Sequence, residues 1–152
     1  MNTTLIRNSN PNDTDSVYSL LCIIAELHKN GRPDMFPDLI SKYTPQEVYE
    51  RLSKDENGVF VAEQDGRVVG YVFCDIIKEG NGLTLYIDDL CVDENCRGKH
   101  IGTKLFDFVK AYAKDIGCYN VTLNVWACNP GSLKFYEKCG MQVQKMGMEW
   151  VL

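Results

Sequence analysis

The chain has 152 residues, a formal net charge of −5, and 45% hydrophobic and 24% charged residues. These values are those of one ordinary globular domain with a single core. The sequence carries no basic stripe of the kind that binds nucleic acid, and no apolar run approaches the length needed to span a membrane. Residues 1–10 lack a signal-peptide layout, because Arg7 follows the short apolar stretch instead of preceding it. We therefore expect no nucleic-acid or membrane partner.

The cysteine usage bears on the cellular compartment and on metal binding. The count of seven cysteines is odd, no Cys-x-x-Cys pair occurs, and several of the cysteines fall in apolar segments. This usage argues against a disulfide framework and favours a reducing cytoplasm. The chain has only two histidines, and no cluster of His and Cys has ligand spacing, so we expect no metal site.

The N-terminal part of the chain is predicted to hold a strand, a helix and a loop. Residues 3–7 have the pattern of a short strand, and Asn12 or Asp13 can cap a helix that runs to about Lys29. Two prolines within residues 31–37 predict an irregular loop. Its apolar side chains either tuck beneath the loop or line a substrate pocket.

A second helix and a hairpin are predicted next. Thr44 can cap this helix, and Glu47 completes a capping box. The helix is predicted to run to about residue 54. Residues 59–63 and 67–77 have strand composition and are joined by Asp65-Gly66, a strong signal for a tight hairpin.

The stretch that follows has the order strand, glycine-bearing loop and helix. The strand covers residues 83–92, and the loop carries Gly98 and Gly102. A helix start leaves backbone N–H groups unpaired, and glycines let the backbone approach a phosphate. Arg97 and Lys99 add positive charge, so the loop is predicted to bind an anion, most naturally a pyrophosphate. The alternative is an ordinary tight turn with two exposed basic residues.

The rest of the chain is predicted to complete a mixed sheet. Residues 119–126 form a strand that a helical crossover makes parallel to the strand before it. Asn129 caps the next helix, and two short terminal strands follow at residues 141–145 and 148–151. We therefore predict a single α/β domain (mixed α+β) over residues 1–152, with about seven mostly antiparallel strands and about four helices.

Two segments resemble the motifs of one known family. Residues 97–102, Arg-Gly-Lys-His-Ile-Gly, resemble the Arg/Gln-x-x-Gly-x-Gly/Ala loop of the GCN5-related N-acetyltransferase (GNAT) superfamily, with His100 in place of the inner glycine. Residues 129–141, Asn-Pro-Gly-Ser-Leu-Lys-Phe-Tyr-Glu-Lys-Cys-Gly-Met, resemble the family's Asn-x-x-Ala-x-x-Phe-Tyr-x-x-x-Gly-Phe segment. The resemblance implies the single-domain acyl-CoA N-acyltransferase fold, in which a central parallel pair of strands splays apart and acetyl-CoA lies in the gap. It is also compatible with a homodimer.

The resemblance further implies where the co-substrate binds. Carried over position by position, three residues of the central strand would offer backbone groups to the pantetheine arm, and the loop and helix start would hold the pyrophosphate. The capping asparagine of the last helix would contact the cofactor as well. The implied acetyl-CoA contacts are Leu90, Cys91, Val92, Arg97, Gly98, Lys99, His100, Ile101, Gly102, Thr103 and Asn129.

Acetyl transfer to an amine also needs catalytic groups: a proton donor for the leaving thiolate and a group that takes the proton of the amine. The resemblance implies that Tyr136 is the donor; spacing alone would make it a core aromatic residue. Asp88 and Asp89 are candidates for the base, with Asp88 preferred, and strand alternation puts them on opposite faces unless a bulge intervenes. The alternative is that this pair only binds a cationic acceptor or pairs with Lys or Arg. His28 is a weaker base candidate, and Cys91 a weaker acyl-accepting thiol.

These expectations combine into one functional hypothesis and two alternatives. The resemblance implies an acetyl-CoA-dependent N-acetyltransferase in which a primary amine attacks the thioester directly. The acidic pair and the small size of the chain favour a small cationic amine as acceptor over a protein N-terminus or lysine. The alternative from another class is a non-catalytic acyl-CoA-binding sensor or regulatory module, which would keep the phosphate loop but would not need Tyr136.

Overall fold

The computed structural model of the chain describes residues 3–80, 82–96 and 100–152. Within these ranges the chain forms one sheet of five strands, together with four α-helices. The strands are β1 (Thr4–Asn8), β2 (Val59–Gln64), β3 (Arg67–Glu79), β4 (Gly82–Val92) and β5 (Cys118–Leu123). The helices are α1 (Thr14–Gly31), α2 (Pro45–Leu52), α3 (Ile101–Asp115) and α4 (Pro130–Lys138), and two short 3-10 helices cover Pro11–Asp13 and Glu94–Cys96.

The strands lie in the order β1-β2-β3-β4-β5. Neighbours from β1 to β4 are antiparallel, whereas β4 and β5 are parallel because α3 carries the chain back between them. The predicted α/β class, with mostly antiparallel strands and one central parallel pair, is therefore confirmed.

Helices cover both faces of this sheet. On one face, Leu21 of α1 and Leu52 of α2 pack in a cluster with Tyr71 of β3. On the opposite face, Leu105 of α3 packs in a second cluster with Leu85 of β4. None of the helices within the described ranges is both long and apolar enough to cross a membrane.

Several local signals have the structural effect expected of them. Asp65 and Gly66 have φ values of 53° and 74°, the left-handed conformation that a tight two-residue hairpin turn requires. The Thr44–Glu47 capping box at the start of α2 is present with both of its hydrogen bonds. The Asn129 side chain accepts a hydrogen bond from the backbone N–H of Ser132 and so caps α4.

The predicted count of seven strands is wrong: residues 141–152 contain no strand, although residues 141–145 and 148–151 have strand composition. A strand forms only where a second strand supplies hydrogen-bond partners for its backbone groups. Residues 142–152 make no backbone hydrogen bonds to any described residue. Two boundaries also differ, because α2 ends at Leu52 and β5 ends at Leu123.

An ion-pair network around the buried Asp13 ties β1 to the segment before α1. The Arg7 guanidinium donates two hydrogen bonds of 2.9 Å to the Asp13 carboxylate and one of 2.8 Å to Glu63. The backbone N–H of Asn10 donates a further bond of 2.9 Å to Asp13. Burial by itself would raise the pKa of Asp13, but the bonds from Arg7 and Asn10 outweigh it and hold that pKa below its usual value.

We predict that Asp13→Asn lowers the free energy of unfolding at pH 7 by about 1–3 kcal/mol, because the partly buried Arg7 guanidinium loses one of its two charged partners. A chain of this size should then melt about 2–4 °C lower for each kcal/mol lost. Since the pKa of Asp13 is lower in the folded chain than in the unfolded chain, its contribution is present above the unfolded value of about 4 and disappears as the pH falls.

Thermal unfolding followed by circular dichroism checks this prediction across pH 3–8. The difference in melting temperature between the wild type and Asp13→Asn should shrink toward acid pH. Asp55→Asn, at an exposed position, is the matched control and should leave the melting temperature within about 1 °C of the wild type. An equal loss in both variants would show that the network contributes nothing.

Candidate active site

The candidate site lies where the parallel pair of strands separates. Pairing between β4 and β5 ends at Ile87 and Leu123, whereas β4 continues to Val92. Residues 88–92 keep β3 as a neighbour on one side only, since their other edge has no partner in β5. The expected splaying of the central pair is thus present, and it leaves an edge of backbone groups facing a gap.

A β-bulge in β4 decides which way the two adjacent carboxylates point. Phe73 of β3 pairs with Asp89 and the next residue, Cys74, pairs with Ile87, so Asp88 is an extra residue without an opposite partner. Without the bulge, Asp88 and Asp89 would face opposite sides of the sheet. With it, both line one small cavity of about 40 Å³ beneath α1, together with His28 and Lys42.

Asp88 is bound by two side chains from the segment before α2. The Lys42 ammonium lies 2.7 Å from Oδ1 of Asp88, and the Tyr43 hydroxyl donates a hydrogen bond of 2.6 Å to Oδ2. The Tyr43 ring stacks on Phe73 with centroids 5.6 Å apart. Burial, and then the Asp88 carboxylate, raise the pKa of Tyr43. Asp88 therefore already has a cationic partner in Lys42 and a hydroxyl partner in Tyr43.

Asp89 has a different environment. The Tyr71 hydroxyl donates a hydrogen bond of 2.7 Å to its Oδ2. Burial raises the pKa of Asp89 to about 6, although the Tyr71 hydroxyl and the Lys42 ammonium both act to lower it. A carboxyl that titrates near neutral pH is suited to accept and release a proton.

Tyr136 projects from α4 toward the same region. Its ring packs against Phe106 and Phe135, with centroid distances of 6.1 Å and 5.0 Å. Burial raises the pKa of Tyr136, and the charges of Asp89 and of two neighbouring thiols raise it further. The phenol therefore stays protonated at neutral pH, and its hydroxyl has no hydrogen bond to any residue that the structure describes.

The predicted phosphate loop is only partly within the described residues, because Arg97, Gly98 and Lys99 lie outside them. His100, which follows, has φ 60° and ψ 24°, a left-handed conformation in which glycine is the usual residue. This accounts for the glycine that the family motif has at this position. The helix α3 then begins at Ile101.

The first turn of α3 lies close to α4. A Cβ atom added to Gly102 would come within 3.1 Å of the Phe135 ring, so the absence of a side chain allows the close approach of the two helices. Gly102 and Thr103 are half-buried at this helix start. Asn129, the remaining predicted cofactor contact, uses its side-chain oxygen to cap α4.

Three aromatic rings form a cluster, and one of them, His28, lines the cavity that Asp88 and Asp89 line. Phe36 of the loop 32–44 packs edge-on to Trp126 with centroids 5.5 Å apart, and the His28 ring lies 6.1 Å from Phe36. Phe36 is thus tucked beneath its loop. Burial, and then the charge of Lys42, lower the pKa of His28, so its imidazole is neutral at neutral pH.

The remaining candidates have other surroundings. Cys91 is buried, with its sulfur 3.7 Å from the Leu20 carbonyl oxygen, which fits a thiol packed in the core. A larger opening of about 240 Å³ lies between α2 and β3 and is lined by Tyr43 and Phe73. Neither carboxylate of β4 lines that opening, so we place the candidate site at the smaller cavity.

Sequence reasoning missed Lys42, Tyr43, Tyr71 and Trp126. Strand alternation could have identified Tyr71, because it lies two residues from Phe73 on the face of β3 that α1 covers. No local signal marks Lys42 or Tyr43, whose partner Asp88 is 45 or 46 positions away in the chain.

The comparison with known proteins decides the family. A family model described as the acetyltransferase (GNAT) family matches residues 24–141. This chain belongs to the GNAT family. The match includes the gap between β4 and β5, both carboxylates and Tyr136.

Curated relatives of this GNAT chain carry acetyltransferase names. An uncharacterized N-acetyltransferase of Methanocaldococcus jannaschii is 34% identical over 103 residues, which are 66% of this chain and 46% of the relative. A glucosamine 6-phosphate N-acetyltransferase of Arabidopsis thaliana is 40% identical over 67 residues, 44% of this chain and 43% of the relative. The matches span less than half of the length of these two relatives.

Solved structures agree with the GNAT chain over nearly its whole length. A mutant of the BH1408 protein from Bacillus halodurans is 26% identical with a TM-score of 0.84, covering 97% of this chain and 99% of that chain. An aminoglycoside N-acetyltransferase, AAC(6')-Iy in complex with CoA, is 16% identical with a TM-score of 0.73, covering 100% of this chain and 96% of that chain. The second likeness bears on the fold alone.

We predict that Tyr71→Phe raises the pKa of Asp89 above its present value of about 6, because the lost hydrogen bond stabilised the ionised carboxylate. The titration of the Asp carboxyl carbons by NMR measures this shift. Tyr49→Phe removes an exposed hydroxyl on α2 and is the matched control, which should leave the Asp89 titration unchanged. An unchanged titration in Tyr71→Phe would show that burial alone sets this pKa.

Proposed function

We propose that this GNAT chain is an acetyl-CoA-dependent N-acetyltransferase in which a primary amine attacks the thioester directly. The observation that carries this proposal is the parting of β4 from β5 directly before two carboxylates that the bulge turns to one face. The gap offers backbone groups on one strand edge, and the cavity beside it holds a carboxyl with a pKa of about 6. A thioester and an amine could therefore meet there.

The proposed binding mode of acetyl-CoA follows the chain from β4 into α3. Leu90, Cys91 and Val92 lie beyond the end of the β4–β5 pairing, where backbone groups of β4 can bond the amide groups of the pantetheine arm and the acetyl carbonyl. The pyrophosphate would lie at the start of α3, where unpaired N–H groups and the helix dipole attract an anion. The residues proposed for this contact are Arg97, Gly98, Lys99, His100, Ile101, Gly102 and Thr103, with Asn129 at the far side.

We assign the role of base to Asp89 and the role of amine anchor to Asp88. Burial raises the pKa of Asp89 to about 6, whereas Asp88 already binds an ammonium group. This division departs from the preference for Asp88 as the base, since Lys42 and Tyr43 already bind the two oxygens of the Asp88 carboxylate. If Asp89 is the base, Tyr71→Phe should also shift the acid limb of the pH profile of kcat/KM to higher pH, because it raises the pKa of Asp89.

Tyr136 is the proposed acid. The acceptor ammonium first gives a proton to Asp89, directly or through a water molecule, and the neutral amine then attacks the thioester carbonyl carbon. The C–S bond then breaks, and the leaving CoA thiolate takes the proton of the Tyr136 hydroxyl. The second proton that the nitrogen loses restores the Tyr136 hydroxyl after the phenol has protonated the thiolate. The packing against Phe106 and Phe135 orients the phenol, and its raised pKa keeps the proton available until the thiolate forms.

We infer that the acceptor is a small cationic amine. Lys42 places an ammonium group 2.7 Å from Asp88, at the position that the amine of such an acceptor would take. The present cavity of about 40 Å³ is far smaller than a ligand site of several hundred Å³, so Lys42 must move when the acceptor enters. A relative named for glucosamine 6-phosphate supports a small amine. The cysteine usage supports action in a reducing cytoplasm.

We predict that acetyl-CoA stabilises the chain and that Tyr136→Phe keeps this binding while it lowers kcat about 10²–10⁴-fold, because the thiolate loses its proton donor. At about a hundred times its Kd, acetyl-CoA should stabilise the fold by roughly 2.7 kcal/mol. Thermal unfolding with acetyl-CoA measures binding, and CoA release with a panel of small amines measures turnover.

Phe108 of α3, partly buried against the core, offers a matched control: Phe108→Tyr adds a phenol away from the gap and should change neither acetyl-CoA binding nor kcat. Undiminished turnover in Tyr136→Phe would remove Tyr136 from the mechanism. Binding of acetyl-CoA without turnover on any amine would favour the acyl-CoA sensor instead. No thermal shift at millimolar acetyl-CoA would overturn the proposed function altogether.

We predict that Lys42→Met lowers KM for a polycationic amine, with spermidine as the probe, about 2- to 5-fold. The reason is that the acceptor no longer competes with a partly exposed ion pair, a type that contributes about 0.2–1 kcal/mol. Lys78→Met, at an exposed position on β3, is the matched control and should leave KM unchanged.

Glucosamine 6-phosphate serves as the second probe for the same pair of variants. If Lys42 only competes with the acceptor ammonium, its removal should not weaken the use of a phosphorylated amine. A loss of activity in Lys42→Met that is confined to glucosamine 6-phosphate would instead mean that Lys42 binds the acceptor phosphate. That result would contradict the competition that we propose.

A further inference from the structure

The Lys42 ammonium occupies the position that the proposed function gives to the amine of the acceptor. Its Nζ lies 2.7 Å from Oδ1 of Asp88, and Lys42 lines the same cavity of about 40 Å³ as Asp88 and Asp89. No other described lysine lines this cavity. The chain therefore presents one of its own primary amines where an external amine would be acetylated.

The Lys42 side chain is free to swing from this position toward the gap between β4 and β5. It lies on the irregular 32–44 loop between α1 and α2, and 47% of its side-chain surface is exposed. A lysine carries its ammonium on a long, flexible stem. Leu90, where the proposed contact with the thioester begins, is two residues beyond Asp88, which is about 6–7 Å along a strand. A swing of that size brings the Lys42 amine to the thioester.

The acid and the base that the transfer needs act on the same region. Asp89 lines the cavity, and the charge of Lys42 acts to lower its pKa of about 6. The Tyr136 phenol keeps its proton at neutral pH, because burial and the nearby charge of Asp89 raise its pKa. A base and an acid are thus available to Lys42 as they are to an external amine.

We propose that the chain acetylates its own Lys42 from acetyl-CoA when no external amine is bound, and that this modification removes the cation that competes for Asp88. The Lys42 ammonium gives one proton to Asp89, and its nitrogen attacks the thioester carbonyl carbon. The C–S bond breaks, Tyr136 protonates the CoA thiolate, and the second proton that the nitrogen loses restores the Tyr136 hydroxyl. The products are Nε-acetyl-Lys42 and free CoA. This inference rests on the proposed function.

The modification would change the acceptor site through its charge. Acetylation removes the positive charge of a lysine and its capacity to form an ion pair. Asp88 would keep the Tyr43 hydroxyl as a partner and lose the ammonium of Lys42. An incoming cationic amine would then no longer have to displace an ion pair. Exposure to acetyl-CoA alone would therefore prepare the site for its acceptor.

Mass spectrometry of the full chain incubated with acetyl-CoA alone tests the first half of the proposal. We expect a gain of one acetyl group that peptide mapping assigns to Lys42. The exposed Lys78 of β3 is the internal control and should react at least about 10²-fold more slowly, since it has no acid and base beside it. The rate at Lys42 should not depend on protein concentration, because the amine and the site belong to one chain. Equal rates at the two lysines, or a rate that rises with protein concentration, would overturn the proposal.

Two variants separate catalysed transfer from spontaneous acetylation. Lys42→Arg keeps a positive charge beside Asp88 but has no amine that accepts an acetyl group, so the gain of one acetyl group should vanish. Asp89→Asn removes the base and should slow the acetylation of Lys42 about 10²–10⁴-fold, whereas that of Lys78 stays the same. Circular dichroism checks that both variants are folded. An unchanged rate at Lys42 in folded Asp89→Asn would mean that the reaction is spontaneous, which contradicts the proposal.

Turnover on free amines distinguishes a failure of this inference from a failure of the proposed function. Transfer to free amines without modification of Lys42 would overturn the inference and leave the proposed function standing. The absence of both reactions would overturn both.

The second half of the proposal is tested by comparing the chain pre-acetylated at Lys42 with Lys42→Arg, which retains the competing charge. We expect KM for spermidine to be about 2- to 5-fold lower in the acetylated chain, the effect of losing a partly exposed ion pair. Equal KM values in the two would overturn this half of the proposal.

Discussion

One extra residue in β4 is the constraint on which the rest of the site depends. The bulge at Asp88 shifts the alternation of side chains along β4 by one residue. As a result, two successive carboxylates both face α1, while apolar residues before and after them pack in the two hydrophobic clusters. The pairing between β4 and β5 ends at the residue before it. The same short stretch therefore orients the charged groups and opens the gap beside them.

The two carboxylates then differ because of what reaches them from other elements. Lys42 and Tyr43 supply a cation and a hydroxyl to Asp88, whereas Asp89 has the Tyr71 hydroxyl and a buried setting. Burial disfavours the charge on Asp89, and this cost in stability is the source of a pKa near neutral pH. Two groups that are chemically alike in the sequence thus acquire separate roles in the proposed reaction.

Within the described residues, both edges of β5 are incompletely paired. Toward β4, the loss of pairing after Leu123 forms the gap that we assign to the co-substrate. Toward the outside, β5 has no neighbouring strand in the part of the chain that the structure describes.

The sequence by itself determined the elements that interactions between neighbouring residues stabilise. The capping box at Thr44, the Asp65-Gly66 turn and the Asn129 cap each act through neighbours a few residues away, so their positions and the α/β class could be predicted. The strand count could not be predicted in this way, because residues 141–152 have strand alternation but a strand also needs an edge to pair with. The bulge, the bonds from residues 42 and 43, and the burial of Asp89 arise only when segments distant in the chain come together. For that reason, only the tertiary structure decided how the two carboxylates differ.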